Sequence, residues 1–325
     1  MQREPGVKIS RRPLADLDVA AYDSLVAESF YASRGFLALW RVMGGRPTVW
    51  CAEIDGRLIA VLPGIEYGRG PIQRFISQPD GCYGGMVLDP AMTLRRTEVA
   101  RALLNNIARH GYAKSEIFDY AERMGRHPEF ETAQCETRLV RIAGSEWSPE
   151  DPKLRSEIRR ASRVGLEVER FNYDRHRAGL EALIQMTARR HGIRPRYRMQ
   201  FFQRLAALAE TDPRVRWRHC ERDGKPVASQ IYFVERGMLV SWQDYSCREY
   251  SSLKPNQFIR WELCQQVANE GIEWLNLGSS PNDANGLGAY KQRWGGSITQ
   301  YASLTRWGGI GSLVRPRGKR EAVGV

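Results

Sequence analysis

One pattern occurs twice in this chain and limits the folds that it can adopt. Glu53-Ile-Asp-Gly-Arg57 is repeated, 168 residues later, as Glu221-Arg-Asp-Gly-Lys225. Each Asp-Gly pair lies between two apolar segments, which is typical of a β-hairpin with a two-residue turn. In both halves a helical pattern, a glycine (Gly111 or Gly271) and a strand pattern follow the hairpin. The sequence therefore predicts two copies of one unit made of a hairpin, a helix and a strand.

This duplication predicts a mixed α/β (α+β) protein of two tandem units. The 325 residues are enough for two domains of ordinary size. We predict a first unit over residues 1–148 and a second over 149–325 with a basic C-terminal tail, because the Pro-containing, acidic segment 143–152 is typical of a linker. Ligands of two-part proteins usually bind between the parts, so we expect a binding cleft there.

The segment from Ile272 to Gly296 is the strongest candidate for a site. Ile272–Leu277 predicts a buried strand, and Gly278–Gly286 predicts a loop rich in Gly, Ser, Pro and Asn. Two cations and two aromatic residues follow: Tyr290, Lys291, Arg293 and Trp294. A strand fixes the root of such a loop while the loop offers polar groups to an anionic or carbonyl-bearing ligand. The alternative is a capped surface loop with a solvated Lys.

The positive charge of the chain is concentrated in clusters. The formal net charge is +12, and only seven of the 49 Lys and Arg residues are Lys. Residues 189–204 contain six Arg and no acid, and residues 153–163 contain five cations with Glu157 as the one acid. Because clustered Arg binds phosphate, we expect RNA or a phosphorylated small molecule as a ligand. The alternative is a basic surface that follows from a GC-rich genome.

The composition disfavours several kinds of site. The six Cys form no Cys-x-x-Cys pair and the five His form no metal-binding spacing, so we predict reduced thiols, no metal and no other cofactor. No apolar run approaches the ~18–20 residues of a membrane span. The charged N-terminus lacks the apolar core of a signal peptide. We therefore expect a cytoplasmic protein without a membrane span.

Four segments of the chain resemble a known family of enzymes. They are the basic helix Arg155–Arg163, the helix start Pro255–Glu262, the strand Gly271–Gly278, and Gly286–Gly296 with its Gly, aromatic, Lys and Gly order. Together they resemble the Fem family of aminoacyl-tRNA-dependent peptidyl transferases, most strongly over residues 153–301. The resemblance implies two tandem GNAT-like units, each a mostly antiparallel mixed sheet flanked by helices. The long coiled-coil insertion of some family members is absent from this sequence.

The resemblance also implies a catalytic residue. Lys291 matches the family Lys that is implicated in the transfer step, and a fixed cation stabilises the oxyanion of such a reaction. The attacking amine must lose a proton, and we predict Asp244 and Tyr245 as the groups that assist it. A turn-capping role is the alternative for Asp244. The predicted substrate-binding residues are Arg155, Arg159, Arg160, Arg163, Asn256, Ser279, Asn282, Tyr290, Arg293 and Trp294.

The donor is predicted from a missing glycine loop. In a CoA-dependent GNAT, Gly residues before the main helix let backbone N–H groups approach the pyrophosphate. Here the corresponding segment, Glu249–Gln257, contains no Gly. We therefore predict transfer of an amino acid from aminoacyl-tRNA to an amine of a cell-wall precursor peptide or a secondary metabolite, with or without phosphate on this acceptor. The alternatives are an acyl-CoA-dependent N-acyltransferase and a non-catalytic module that binds RNA or phosphoglycans.

Overall fold

The structure is a computed structural model that describes residues 6–144, 147–279 and 285–313, apart from the side chain of Asn285. The strands within these residues are β1 (Lys8–Pro13), β2 (Arg46–Ile54), β3 (Arg57–Tyr67), β4 (Arg74–Ile76), β5 (Val87–Leu88), β6 (Lys114–Asp119), β7 (Glu131–Arg141), β8 (Glu167–Arg170), β9 (Val215–Arg222), β10 (Lys225–Glu235), β11 (Met238–Ser246), β12 (Trp274–Ser279) and β13 (Ser297–Trp307). The helices are α1 (Val19–Val26), α2 (Arg34–Leu39), α3 (Arg96–Arg109), α4 (Pro152–Ala161), α5 (Tyr173–Arg190), α6 (Met199–Thr211), α7 (Pro255–Asn269) and α8 (Asn285–Gln292). None of the described helices is long and apolar enough to cross a membrane.

The chain forms two compact units. The described residues up to Glu136 and from Gln300 onward form unit 1, and Thr137–Thr299 form unit 2. In unit 1 the strands lie in the order β1-β2-β3-β4-β6-β13, with β5 paired to β3. The β4–β6 pair is parallel and the other pairs are antiparallel. Helix α3 makes the crossover that a parallel pair needs, and it buries Val99, Leu103 and Ile107 as its spacing predicts.

Unit 2 follows the same plan. Its strands lie in the order β7-β12-β11-β10-β9-β8, and β11–β12 is the parallel pair. Helix α7 makes the crossover between these two strands. The two hairpins also match, because both residues of Asp55-Gly56 and of Asp223-Gly224 have positive φ, as a type I′ turn requires. The predicted mixed α/β fold, with mostly antiparallel sheets flanked by helices, is confirmed.

Each unit contains one strand that pairs with a strand far from it in the sequence. Strand β7 follows β6 in sequence but pairs with β12, with Val140 opposite Leu275. Strand β13 follows β12 but pairs with β6, with Leu304 opposite Ile117. Strands β7 and β13 are therefore exchanged between the two halves of the sequence. Unit 1 is discontinuous in sequence, whereas unit 2 is one continuous segment. The ranges 1–148 and 149–325 stay a prediction for the duplicated segments, and they differ from the compact units at both strands.

Gly296 sits where the backbone before β13 meets β7. Gly296 and Gly237 have φ values of +74° and +73°, so any other residue is strained at both positions. A Cβ on Gly296 would overlap the carbonyl oxygen of Leu139, whereas one on Gly237 would meet no atom within 4 Å. A side chain at Gly237 would therefore introduce backbone strain alone, whereas one at Gly296 would introduce both strain and steric overlap.

We expect Gly237→Ala to lower the free energy of unfolding by about 1 kcal/mol through strain alone. Gly296→Ala should lower it by about 2 kcal/mol more, because the overlap is with backbone that cannot turn away. Urea unfolding followed by tryptophan fluorescence measures both losses. Equal losses would contradict the packing of Gly296 on β7.

Candidate active site

A buried guanidinium lies between α7 and the sheet of unit 2. Arg260 is only 2% exposed. Its Nε donates to the Tyr232 hydroxyl at 3.0 Å, and its Nη1 donates to the Tyr290 hydroxyl at 2.7 Å. Its Nη2 donates to Ser241 Oγ at 3.3 Å and to Asp244 Oδ2 at 2.7 Å. We call these five residues the Arg260 cluster; it ties α7 and α8 to β10 and β11.

The register of the sheet places the acceptors of this cluster. Tyr232 of β10 lies opposite Ser241 of β11, and Gln230 lies opposite Asp244. The Tyr232 hydroxyl donates to Gln230 Oε1 at 2.5 Å, which leaves its lone pairs free for Arg260. Two neighbouring cross-strand pairs therefore present a polar surface to α7. The long side chain of Arg260 extends from α7 onto this surface.

Aromatic rings surround the same cation. The Cζ of Arg260 lies 5.3 Å from the ring centroid of Trp294 and 5.5 Å from that of Tyr290, within the range of a cation–π contact. Trp294 is fully buried and stacks on Trp147 with 6.3 Å between ring centroids. The structure thus brings two of the predicted residues, Tyr290 and Trp294, together around the guanidinium of Arg260. Burial raises the pKa of Tyr290.

Lys291 lies on α8 and is 7% exposed. Its Nζ donates to the carbonyl oxygens of Gly278 at 2.8 Å and of Ser279 at 2.7 Å, at the end of β12. The left-handed Gly278, with φ of +72°, is the first of these two acceptors. Burial and, to a smaller extent, the charge of Arg260 lower the pKa of Lys291 to about 8, against the opposing effect of the Asp244 charge. The ammonium is therefore mainly charged at pH 7 and close to titrating.

Asp244 lies near both cations. Its side chain is 33% exposed, and its Oδ2 bonds to Arg260. The Oδ1 atom is buried and has no hydrogen-bond partner among the described residues. The pairing of β11 with β12 ends at Val240 and Asn276, so Asp244 lies beyond the part of β11 that pairs with β12. A buried acceptor without a donor is suited to a ligand that brings an N–H or O–H group.

Two more of the predicted residues border this region. The Ser279 carbonyl is one of the two acceptors of Lys291. Asn256, near the start of α7, accepts from Gln230 Nε2 through its main-chain oxygen at 3.2 Å, and its Oδ1 is buried with no partner among the described residues. Asn282 lies outside the described residues. The site therefore combines a buried ammonium with two open side-chain acceptors.

Tyr245 and Arg293 are placed away from these acceptors. Tyr245 alternates with Asp244 on β11, and its ring lies 5.9 Å from that of Phe202 on α6. The Nε and Nη2 of Arg293 donate to Asp151 Oδ2 at 2.9 Å and to Glu157 Oε2 at 3.0 Å. Arg293 therefore joins α4 to the residues after α8 through two ion pairs.

The basic helix α4 divides into bound and open arginines. Arg155 donates to the carbonyls of Pro149 and Glu150, and Arg160 donates to the Ser252 carbonyl at 3.0 Å. The guanidinium groups of Arg159 and Arg163 are exposed and form no hydrogen bond or ion pair within the described part of the chain. Of these four arginines, Arg159 and Arg163 therefore keep all of their N–H donors open to an external ligand.

The sequence interpretation did not include Arg260. The sequence does contain a signal for its burial. Arg260, Leu263, Cys264 and Val267 follow the i, i+3, i+4, i+7 spacing of one helix face, and all four are buried. A charged residue within such a stripe indicates a buried, partnered charge.

We expect the Lys291 amine to titrate near pH 8, far below an ordinary Lys. Asp244→Asn should lower this pKa further, because it removes a carboxylate that stabilises the charged form. Carbon-13 NMR of the Lys Cε signals measures both values, and the signal lost in Lys291→Gln provides the assignment. An unshifted pKa, or a rise in Asp244→Asn, would contradict the described geometry.

Comparison with known proteins agrees with this architecture. Residues 152–292 match the family model described as the acetyltransferase (GNAT) domain. This range contains α4, the strands β8–β12, the Arg260 cluster and Lys291. No curated protein sequence matches the chain.

Solved structures resemble the chain over nearly its whole length. FemX is 12% identical with a TM-score of 0.67, and the alignment covers 90% of this chain and 96% of FemX. L-PGS from Bacillus licheniformis is 14% identical with a TM-score of 0.56, covering 88% and 91%. A tandem GNAT protein from the clavulanic acid biosynthesis pathway is 13% identical with a TM-score of 0.55, covering 93% and 99%. The chain thus carries a GNAT acyltransferase domain and has a Fem-like tandem GNAT fold.

Proposed function

We propose that this protein forms amide bonds by moving an aminoacyl group from aminoacyl-tRNA to an amine. The observation that carries the proposal is the buried Lys291 ammonium, held by two main-chain carbonyls beside a carboxylate with an open oxygen. The acyltransferase domain supports a catalytic role over the alternative of a binding module. Such a donor implies that the reaction takes place in the cytoplasm.

The proposed step is an acyl substitution at the ester of the donor. The neutral amine attacks the ester carbonyl, and the carbonyl oxygen becomes negative in the tetrahedral intermediate. Lys291 stabilises this oxyanion, because a fixed cation in a buried site interacts strongly with charge that develops there. The C–N bond forms, the ester C–O bond breaks, and the ribose oxygen of the tRNA leaves as a hydroxyl after taking up the proton that the amine has lost. Asp244 Oδ1 is suited to receive the proton that the amine releases.

The surroundings of α7 support tRNA over CoA as the donor. No Gly is present from Glu249 to Gln257, and Pro255, the first residue of α7, supplies no N–H group. The open guanidinium groups of Arg159 and Arg163 fit the phosphates of a polyanion. Of the three solved structures described above, FemX also has the highest TM-score.

An acyl-CoA-dependent N-acyltransferase is the second candidate. The description of the matched domain as an acetyltransferase favours it. In either case the acceptor is an amine, and we propose an amine of a cell-wall precursor peptide or of a secondary metabolite. The acceptor can also carry phosphate, since the chain is strongly basic.

We expect the protein to consume charged tRNA, and not acetyl-CoA, when incubated with a mixture of amine acceptors. Radiolabelled amino acid on tRNA and radiolabelled acetyl-CoA are followed in parallel, with product separated by chromatography. RNase treatment of the charged tRNA should abolish product. Product that forms from acetyl-CoA and is insensitive to RNase would establish the second candidate instead.

Lys291→Gln should lower kcat/KM by about 10²–10³, the typical loss for one oxyanion-stabilising donor. Lys225→Gln is the matched control, because Lys225 is exposed at the end of a hairpin. A melting temperature close to that of the native protein distinguishes lost chemistry from lost folding. Activity in Lys291→Gln within threefold of the control would refute the catalytic role.

The same role predicts a pH dependence. Because the protonated form of Lys291 is the active one, the rate should fall as the pH rises through about 8. The acceptor for this measurement must have an amine that is already neutral at pH 7. Lys291→Arg should extend activity to higher pH, since a guanidinium stays charged. A rate that instead rises through pH 8 would identify Lys291 as a general base.

A further inference from the structure

A second cationic feature of unit 2 lies at the β8–β9 edge of its sheet. A cavity of about 270 Å³ is lined there by Arg170 of β8, Arg216 and Arg218 of β9, and Gln266 of α7. The end of α6 and the loop after it complete the wall and contribute Glu210. We call this cavity the arginine groove. Lys291 and the Arg260 cluster do not line it.

The charges of the arginine groove do not cancel pair by pair. Arg170 lies 3.3 Å from Glu210, and Arg216 forms an ion pair with Glu270. Arg218 differs, because its Nη2 donates to the neutral Oε1 of Gln266. No carboxylate of the described residues lies within ion-pair distance of Arg218, although Glu262 and Glu270 act on it at longer range.

Arg216 and Arg218 are neighbours on β9, so the positive charges of their guanidinium groups are unfavourable without a bound anion. The two residues alternate along the strand, so their side chains share one face of the sheet. The Nε of Arg216 is buried and has no hydrogen-bond partner among the described residues. Burial lowers the pKa of Arg218, and the nearby Arg216 lowers it further. Two neighbouring guanidinium groups with free N–H donors are stabilised by an anion between them.

We propose that the arginine groove binds one phosphate group. The planar forks of two guanidinium groups match phosphate oxygens, and the walls of the groove exclude part of the solvent that would screen the contact. One phosphate would offset the unneutralised charge of Arg218 and would offer an acceptor to Arg216 Nε. Arg170 lies at the rim of the groove, where it donates a hydrogen bond to the Ala209 carbonyl at 2.6 Å.

The arginine groove is a separate site from the proposed catalytic one. Arg218 lies opposite Gln230, and Gln230 lies opposite Asp244. Two strand spacings therefore separate Arg218 from Asp244, about 10 Å at the backbone. The buried side chain of Gln230 lies between them on the strand in the middle. Binding in the groove does not require transfer activity, so the two proposals can fail independently.

The phosphate can come from two sources. It can be a phosphodiester of an RNA, or a phosphate of a small molecule. The test therefore uses two probes on the full chain, inorganic pyrophosphate and uncharged tRNA, both at constant ionic strength. Isothermal titration measures pyrophosphate binding, and filter binding measures tRNA.

Arg218→Gln should weaken pyrophosphate binding about tenfold, the effect of losing one charge-assisted contact worth ~1.4 kcal/mol. Gln266→Glu should weaken it as much, because the new carboxylate would neutralise Arg218 without removing it. Arg222→Gln is the matched control on the same strand, outside the groove, and should bind as the native protein does. If Arg218→Gln fails to fold, pyrophosphate binding by Gln266→Glu is compared with that of the control instead.

The tRNA probe assigns the source of the phosphate. Weaker tRNA binding by Arg218→Gln than by Arg222→Gln would assign the groove to RNA. Unchanged tRNA binding together with lost pyrophosphate binding would assign it to a phosphorylated small molecule. The proposal is overturned if the native protein shows no saturable pyrophosphate binding, or if Arg222→Gln weakens that binding as much as Arg218→Gln does.

Discussion

The burial of the Arg260 guanidinium constrains the whole candidate site. Moving a cation out of water costs several kcal/mol, and only good geometry with several acceptors offsets this cost. Each acceptor of Arg260 is therefore held where the cation needs it, on β10, β11 and α8. Removing one partner would leave a buried charge uncompensated. The cluster thus sets the distance between α7 and the sheet, and with it the position of α8, which carries Lys291.

The properties of Lys291 follow from that position. Its ammonium shares a poorly solvated region with a second cation, so the charged form is less favourable than in water. Two carbonyl oxygens at the end of β12 compensate for part of the lost hydration. A developing oxyanion would compensate for more of it, which is why a cation in such surroundings favours a transition state over the free enzyme.

The sequence predicted the parts of the fold that depend on local patterns. The Asp-Gly turns and the apolar faces of α3 and α7 are recoverable because turn chemistry and helical spacing act within a few residues. Strands β7 and β13 were missed, since they expose many polar side chains and find their partners far along the chain. Lys291 was identified through a resemblance, whereas its burial depends on tertiary packing. Strand alternation alone argues against Asp244 and Tyr245 serving one site, because neighbouring residues of a strand face opposite sides.

The exchanged strands have a consequence for synthesis of the protein. Domains generally fold in order as the chain leaves the ribosome. Unit 1, however, takes β13 as its last strand, and β13 is made after all of unit 2. Until then the edge of β6 has no neighbour on that side, and a bare strand edge is prone to pair with other chains. The N-terminal half of the nascent protein therefore keeps an exposed strand edge until the ribosome has synthesised β13.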